Sequence, residues 1–508
     1  MKFLRICSLL LALLMVLTVF AACGDKPGEK DTTQGDKQPT SQETKKEPSE
    51  TESETEPAIV PTTLPEKQDY GFELNVLHWT VGGQGVGEKW IPWEEIAVEE
   101  DTGDGIVRAV FERNNLLETD YGIHVNTEYM DTDPITATIK NLVSTNDDAY
   151  QLVVQRGYQF QFLMTTNSFG DMSDIRTMDL SKPWYNQDSV NTFTFGGNTI
   201  MAASDLLLLD KGATACMFYN KNLAAEHDYA DNYFYNMVND YTWTLEKVVE
   251  VMENTYKDTT GDGYTIDDIF GCTGGDDPMH FIFNGAGERF CTTDPDKYLV
   301  YTFYSERAID IVEDTLNDLC LSKAYFSDVN YSEASQLTNP FQSDLVFFSF
   351  SCIKGVNELR SMVSEYGILP IPQYEASQHQ YYSEISPHHG SLFAVPSTSV
   401  QDDEEANKIG VALEYMSYIS SQDVYPELYN VVLEGKGTRD PQSREMLKLI
   451  FDTRMYDIGI IFDFARFADG VLRLPKHQEQ NVSTLWASNE EVIDEELGKT
   501  VEALQKIG

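Results

Sequence analysis

The sequence predicts an α/β protein, because short strands alternate with amphipathic helices over much of the chain. A first strand is expected at 73–79, and apolar residues at helical spacing follow over 106–117. A second strand at 121–128, a helix at 134–143 and a third strand at 150–155 continue the alternation. This order of elements is typical of a parallel sheet with crossover connections.

Chain length indicates the number of domains, and net charge argues against a nucleic-acid-binding protein. The chain has 508 residues, enough for two or three domains and a large core. Its formal net charge of −47 indicates a soluble, acidic protein. We expect no nucleic-acid partner, because duplex binding needs clustered Lys and Arg to replace the counterions of the phosphates.

The N-terminus carries an export signal. Lys2 and Arg5 form a basic start, 6–20 is almost wholly apolar, and two alanines precede Cys23. This pattern resembles a bacterial lipoprotein signal, although Phe20 stands where Leu is commoner. The resemblance implies cleavage before Cys23 and a diacylglycerol on its sulfur, whose two acyl chains suffice for stable anchoring. An uncleaved membrane helix is the alternative, but the apolar run is short for spanning.

A polar linker and then a folded body are expected after the signal. No aromatic residue occurs over 24–69, where Lys, Glu, Thr, Ser, Gln and Pro dominate. Such a segment buries too little apolar surface to offset its ordering entropy, so it is predicted to be a flexible tether. Folded structure is expected from about Tyr70 onward.

The cysteines after Cys23 are scattered, odd in number and without CxxC spacing, which supports neither a zinc site nor a disulfide framework. They are predicted to be mostly small buried residues, with a Cys272–Cys291 bridge as an alternative. The five are Cys216, Cys272, Cys291, Cys320 and Cys352.

Helix starts are indicated by capping residues. Thr244 is a predicted N-cap, with Trp243 stapling onto the first turn of its helix. Asp402 caps a helix whose apolar face includes Leu413, and Ser488 with Glu491 forms a predicted capping box for the last helix.

One stretch organises the chain. An apolar run of strand length at 206–209 is followed by Asp210 to Thr214, a second short strand at 217–220 and a helix-like segment. Its aromatic-Asn-Lys run resembles the crossover of type II extracellular solute-binding proteins, the family that includes maltose-binding protein. The run at 366–372 resembles the family's second lobe-crossing strand. A buried strand pair in another α/β protein is the alternative.

The resemblance implies a periplasmic-binding-protein-like type II fold, with two lobes joined by crossover strands and ligand bound between them. We expect an N-terminal lobe at 70–211 and 372–425 and a C-terminal lobe at 212–371 and 426–508. The lipoprotein-like start and the polar composition after it give a signal peptide at 1–22 and a lipidated, disordered linker at 23–69.

Four residues are candidate ligand contacts. Trp79 and Tyr158 follow predicted strands, where ligands of parallel sheets lie. Phe350 ends a strongly apolar strand, and Asp210 lies at the implied hinge. Aromatic rings stack on sugar faces and polar side chains bind sugar hydroxyls, so a carbohydrate is the expected ligand. Trp79 and Tyr158 could instead be core residues.

A calcium site is a further candidate. Asp258, Thr260 and Asp262 occupy the first, third and fifth places of a calcium loop, and Tyr264 could offer its carbonyl. Ile269 replaces the usual bidentate Glu at the twelfth place, so Asp267 or a neighbouring acid would complete the shell. The alternative is a plain Asp/Gly-rich turn.

Catalytic motifs are absent from the sequence: it has no nucleophile elbow, HExxH zinc site or Walker loop. We therefore expect a non-enzyme that needs no cofactor, held by lipid at the extracellular face of the cell membrane. It would deliver an oligosaccharide to the permease subunits of an ABC importer. The alternatives are a surface glycoside hydrolase, a peptide-binding receptor and a structural wall-associated lipoprotein.

Overall fold

The structure is a computed structural model, and it describes residues 60–82, 91–261, 263, 265, 267–327, 340–433, 440–477 and 481–507. The strands are β1 Phe72–Thr80, β2 Ile123–Asp131, β3 Leu152–Arg156, β4 Thr194–Phe195, β5 Asn198–Thr199, β6 Ala215–Asn220, β7 Phe270–Thr273, β8 Cys291–Asp294, β9 Tyr298–Tyr301, β10 Tyr325–Phe326, β11 Val346–Cys352, β12 Tyr366–Leu369, β13 Ser383–Glu384, β14 Ser391–Ala394 and β15 Arg454–Met455.

The α-helices are α1 Gly105–Tyr121, α2 Thr132–Thr145, α3 Gly157–Met164, α4 Gln187–Thr192, α5 Leu209–Gly212, α6 Lys221–Glu226, α7 Tyr233–Asn239, α8 Leu245–Thr255, α9 Pro278–Gly285, α10 Glu306–Asp314, α11 Val356–Leu359, α12 Asp403–Ile419, α13 Tyr425–Leu433, α14 Pro441–Asp452, α15 Ile458–Phe462, α16 Phe467–Leu472 and α17 Val482–Leu504. Two π-helical turns, Thr315–Cys320 and Ser420–Val424, extend α10 and α12.

The first sheet has the strand order β14-β3-β1-β2. Its three early strands are parallel, and β14 joins β3 in the antiparallel direction after a long excursion of the chain. The predicted strand–helix alternation is confirmed here, because each early strand is followed by a helix that packs against this sheet. Two separate parts of the chain therefore build this sheet: the start of the folded body and the segment near residue 391.

The second sheet has the order β10-β7-β11-β6-β12. Strand β6 lies between β11 and β12 and is antiparallel to both, with Phe350 opposite Met217 and Ile368 opposite Phe218. The two segments predicted to cross between lobes are thus neighbours in one sheet. This arrangement, with the first sheet built from flanking parts of the chain, is the two-lobed α/β fold that the sequence predicts.

The apolar run at 206–209 is not a strand, contrary to prediction. It forms turns that lead into the short helix α5, and its leucines are buried in the core. Backbone N–H groups of Leu208 and Leu209 donate to the carboxylate of Glu95, at 2.6 and 2.7 Å, so helix-type donors are satisfied here by a side chain. A distant acid, which the local pattern does not reveal, stabilises this conformation.

Two predicted helix caps are confirmed and one is wrong. The Thr244 hydroxyl accepts from Lys247 N–H, and Asp402 accepts from two N–H groups of α12. The last helix instead begins at Val482, where Asn481 caps it. Ser488 lies inside this helix, and its hydroxyl donates to the carbonyls of Thr484 and Leu485, an alternative that mid-helix serines often take.

The folded body begins before Tyr70. Leu64 packs against the core, the Tyr121 hydroxyl donates to the Pro65 carbonyl, and Lys67 pairs with Asp120. Leucine and two prolines in this stretch supply apolar surface that the rest of the predicted linker lacks. The end of that linker is therefore ordered against the first sheet's helices.

The five cysteines of the folded body are free and buried, as predicted for most of them. The alternative Cys272–Cys291 bridge is wrong, because these residues belong to different strand pairs.

Candidate functional site

A cleft of about 1090 Å³ separates the first-sheet side of the molecule from the second-sheet side. Residues of the first-sheet side form one wall, including Trp93, Glu94 and Asp104. The opposite wall comes from the ends of β7 and β11 and from the short helices after β11. The cleft lies at the carboxyl ends of parallel strands, where open α/β sheets bind ligands.

Gly212 of the crossover segment is buried behind the cleft lining, in contact with residues of both walls, and we call this buried segment with Asp210 and Lys211 the floor. A Cβ atom added to this glycine would lie 2.6 Å from the Trp93 ring and 3.4 Å from the Lys354 Cβ. The absence of a side chain therefore lets an aromatic residue of one wall and a basic residue of the other approach the same point of the crossover segment. Trp93 lines the cleft, although most of its side chain is buried.

Aromatic and charged groups line the walls together. Phe350 lines the second-sheet wall, so its predicted location at the cleft agrees with the structure, although its side chain is largely buried. The charged lining residues are Glu94, Asp104, Asp277, Glu358, Lys354 and Arg360. The cleft is thus polar and slightly acidic with apolar platforms, a combination suited to a ligand with many hydroxyl groups.

Two of these carboxyl groups have raised pKa values. Desolvation by the surrounding walls, followed by the charge of neighbouring Asp276, raises the pKa of Asp277 to about 6, against a smaller opposing effect of Lys354. Desolvation and then Glu99 raise the pKa of Glu94. Both groups are therefore easier to protonate than ordinary surface carboxylates.

A buried acid lies behind the second-sheet wall. Glu384 is only 2% exposed, and burial, followed by the charges of Asp457 and Asp277, raises its pKa well above the ordinary value. Its Oε2 has no hydrogen-bond partner among the described residues. By contrast, Asp457 accepts from Asn284 and from the N–H groups of Phe290 and Gly459.

A second cavity of about 220 Å³ lies beyond the loop that carries His388 and His389. His389 lines the cleft, whereas His388 lines this second cavity, so one loop separates the two spaces. Tyr158 lines the second cavity, and its ring lies 4.7 Å from that of His388, centroid to centroid. The structure thus places predicted Tyr158 beside the cleft, in a pocket of its own.

Both histidines of the second cavity are neutral at pH 7. Burial lowers the pKa of His280 to about 4 and that of His388 to about 4, with Arg156 adding to the effect at His388. His280 donates Nε2–H to the Ala468 carbonyl at 2.8 Å, which fixes its tautomer in the neutral form. The formal charges of the lining therefore come from Asp463, Arg466, Asp469 and Arg473.

Trp79 is not at the cleft, contrary to prediction. Its side chain is fully buried within the first-sheet side, and its Nε1–H donates to the Ser391 hydroxyl at 2.9 Å. The indole therefore joins β1 to the start of β14 in the core. A position near a strand end does not show whether an aromatic side chain faces a ligand or the core, so the sequence pattern alone could not exclude burial.

Asp210 does not face the cleft either. It is fully buried in α5, where its Oδ1 lies 3.3 Å from Lys211 Nζ and its Oδ2 accepts from Arg454 Nη1 at 2.8 Å. Lys211 also pairs with Asp205 at 3.2 Å. This network ties the crossover segment to β15, so Asp210 has a structural role in place of the predicted ligand contact.

The predicted calcium loop is described only in part, because Asp262 and Tyr264 lie outside the described residues. The Asp258 carboxylate accepts from the N–H groups of Gly261 and Gly263, and the Thr259 hydroxyl donates to the Asp267 carbonyl. Thr260 lies in the same turn. Among the described residues no cluster of His, Cys, Asp or Glu is arranged to hold a metal, and the site stays a prediction.

Sequence reasoning missed most of the lining. Trp93, Lys354 and Arg360 lie in turns and short helices without a recognisable period, and Arg466 lies in an irregular turn near the C-terminus. The clue available in the sequence was the position of 354–360 directly after a strong apolar strand, since such loops lie at the ligand edge of a sheet.

The two-lobed α/β fold with a cleft between the lobes is that of the ABC substrate-binding proteins of type II. A substrate-binding protein from Listeria monocytogenes in complex with cycloalternan matches 84% of this chain and 99% of its own, with 11% identity and a TM-score of 0.53. The cyclic α-maltosyl-1,6-maltose binding protein from Arthrobacter globiformis matches 84% of this chain and 98% of its own, with 11% identity and the same score.

A third similar structure, the mannotriose-bound protein CpMnBP1, matches 83% of this chain and 100% of its own, with 13% identity and a TM-score of 0.54. At these identities the similarity shows the fold. No protein-family model matches the sequence, and the comparison with curated proteins finds no match.

The predicted lipid attachment at Cys23 lies outside the described residues, as do the signal segment and most of the linker. Within the part of the chain that the structure describes, no helix combines the length and the apolar character needed to cross a membrane.

Proposed function

We propose that this chain is a cell-surface receptor that binds an oligosaccharide and delivers it to an ABC importer. The observation that carries the proposal is the cleft of about 1090 Å³ between two lobes that share a crossover floor. Its volume suits a ligand larger than a single small metabolite. The three similar solved structures are each bound to, or named for, an oligosaccharide.

The chemistry of the walls supports a carbohydrate. Trp93 and Phe350 offer aromatic surface for the apolar faces of sugar rings, and Asp277, Glu358 and Arg360 offer charged acceptors and donors for hydroxyl groups. Tyr158 in the adjoining cavity adds a third aromatic contact. Hinge bending at the α5–β6 crossover would bring the two walls onto the ligand.

Delivery implies a location and a partner. The lipoprotein-like signal supports anchoring through Cys23 at the extracellular face of the cell membrane, with the polar linker as a tether. The partners would be the permease subunits of an importer. Calcium at the 258–268 loop would be structural, since none of the loop's described residues lines either cavity.

The experiment is a binding panel on the folded protein. Linear and cyclic gluco- and manno-oligosaccharides and a matched set of short peptides are screened by thermal shift, and hits are measured by calorimetry. A ligand at 100 times its dissociation constant should stabilise the fold by about 2.7 kcal/mol, and X-ray scattering should show a smaller radius as the lobes close. A panel without any sugar hit would contradict the proposal.

A matched pair of variants locates the binding site. Arg360→Gln removes a charged donor from the cleft and should weaken sugar binding roughly tenfold. Arg176→Gln is the control, because this arginine is 75% exposed, pairs with Asp403 and lies outside the cleft lining. Equal loss of affinity in both variants would place the ligand elsewhere.

A glycoside hydrolase is the second candidate, favoured by one observation. Asp277 faces the cleft with a pKa of about 6, which is the character of a general acid, and Glu358 lines the same wall. Turnover of chromogenic glycosides that Asp277→Asn abolishes would support this candidate. Binding without turnover supports the receptor.

A further inference from the structure

The second cavity adjoins the proposed oligosaccharide cleft but has a different chemistry. The two spaces share the His388–His389 loop and the start of α9, since Asp277 lines one and His280 the other. A saccharide that spans both cavities would cross this loop. One substituent of the saccharide would then enter the second cavity, an inference that rests on the proposed function.

Guanidinium donors outnumber the acceptors available to them in this cavity. Both oxygens of Asp469 accept from Arg473 Nε at 2.9 Å, and Oδ2 also accepts from Arg466 Nη2 at 2.8 Å. The remaining carboxylate, Asp463, accepts from the Asp469 N–H. Each guanidinium carries five N–H donors, so both arginines keep donors that can reach an acceptor on a ligand.

A third arginine adds positive charge behind the cavity. Arg156, at the end of β3, adds to the effect of burial in lowering the pKa of His388 in the cavity lining. Its Nε is buried without a hydrogen-bond partner among the described residues, and Asp133 is the carboxylate that acts on it. The whole chain carries a formal charge of −47, whereas two arginines balance the two carboxylates in this lining and Arg156 acts on it from outside.

The backbone holds this arrangement in an unfavourable conformation. Asp463, Ala465 and Arg466 have φ values of 47°, 52° and 55°, in the left-handed region that non-glycine residues avoid. Such a conformation costs free energy and is retained where the surrounding structure requires it. The strained turn carries Arg466 at the cavity rim, next to Tyr158 and Asp469.

We infer that the second cavity binds the carboxylate of an acidic sugar, a uronic acid residue of the oligosaccharide, through Arg466 and Arg473. Arginine binds carboxylates through two parallel N–H···O bonds, a geometry that hydroxyl groups do not match. Tyr158 and the neutral His388 then contact the ring that bears the carboxylate. At physiological salt the distant acidic surface is screened beyond about 8 Å. Of the two carboxylates in the lining, Asp469 is already bonded to both arginines and Asp463 accepts the Asp469 N–H, so the remaining guanidinium donors decide the preference.

The test compares each acid with its own ester. Trimers of galacturonate, glucuronate and mannuronate are titrated by calorimetry against the full-length protein, beside the methyl ester of each trimer and neutral maltotriose. The ester keeps the sugar skeleton and removes the charge. At least one acid should bind roughly 10- to 100-fold more tightly than its ester.

Variants assign the preference to the cavity. Arg466→Gln and Arg473→Gln should each remove most of the difference between acid and ester. Arg360→Gln should weaken acid and ester equally, because it acts in the main cleft, and exposed Arg176→Gln should change neither. Circular dichroism and thermal melting confirm that each variant is folded.

The outcomes separate this inference from the receptor proposal. If neutral sugars bind and every acid binds no better than its ester, the inference is overturned and the receptor stands. An acid preference that survives both arginine substitutions also overturns it. If none of the saccharides binds, both fail.

Discussion

The carboxylates of the buried floor, behind the cleft, and those along the cleft walls differ in burial and in hydrogen-bond partners. At the floor, Asp210 and Glu95 are fully buried, and every carboxylate oxygen has a partner in Lys211, Arg454, His78 or a backbone N–H. On the walls, Asp277 is open to solvent and has a raised pKa. Charges at the floor join the crossover segment to β15, whereas Asp277 on the wall is exposed at the cleft.

The comparison also explains why a long polar network can be tolerated at the joint. A buried ion pair contributes little net stability compared with apolar packing, but removing one partner leaves an uncompensated charge. The floor therefore specifies how the crossover segment and β15 fit together. The walls carry groups whose pairing can change when a ligand arrives.

The largest effect is expected at the floor. Arg454→Met removes the guanidinium that donates to Asp210 and should destabilise the fold by about 3–5 kcal/mol, because a buried carboxylate loses its partner. Urea unfolding followed by circular dichroism measures the change. The exposed Arg176→Gln should stay within about 0.5 kcal/mol of the parent protein. A loss below about 1 kcal/mol for Arg454→Met would show that the floor network is not a joint.

A smaller effect is expected where the walls meet. Gly212→Ala places a Cβ 2.6 Å from the Trp93 ring and should cost about 1–3 kcal/mol as an overpacked contact. Ligand affinity should also change, since the walls can no longer approach the crossover as closely. Gly498→Ala is the matched control: it lies in α17 with no atom near the added Cβ, and it should stabilise the helix by about 1 kcal/mol. If both substitutions stabilise the protein, the added Cβ at Gly212 does not clash with Trp93 and the proposed close contact is wrong.

The smallest effect is expected on the wall. The pKa of Asp277 is raised to about 6 in the folded chain, above its unfolded value, so the native state binds this proton more tightly. The ionised group therefore costs stability above pH 6. Asp277→Asn should gain stability at pH 8, by less than about 1 kcal/mol because solvent reaches the group, and the gain should vanish towards pH 4. Unfolding midpoints at pH 4, 6 and 8 test this, and a gain that grows in acid would have the wrong sign.

The sequence predicted the parts of the fold that repeat a local pattern. Strand β1, the helix after it and the capped starts at Thr244 and Asp402 follow from side-chain periodicity and short-range hydrogen bonds. The start of the last helix was predicted wrongly, because the sequence contains two possible capping signals for it. Ser488 and Glu491 have capping-box spacing, but Asn481 caps the helix earlier.

The site was harder to predict because its geometry comes from distant parts of the chain. Asp210 is polar and near the implied hinge, yet its partner Arg454 lies 244 positions away and turns it inward. The leucines at 206–209 have strand-like composition, but Glu95 supplies acceptors that stabilise a turn and helix instead. The location of Phe350 could be predicted, because it lies near the end of a strongly apolar strand and the order of strands and loops places that end at the cleft.

The hydrogen bond from Trp79 to Ser391 joins residues 312 positions apart. While a ribosome makes the chain, β3 therefore keeps an open edge until β14 emerges much later, and such edges invite wrong pairing. Non-local pairing of this kind also slows folding. The first sheet of a nascent chain therefore stays incomplete, with the edge of β3 unpaired, through most of synthesis.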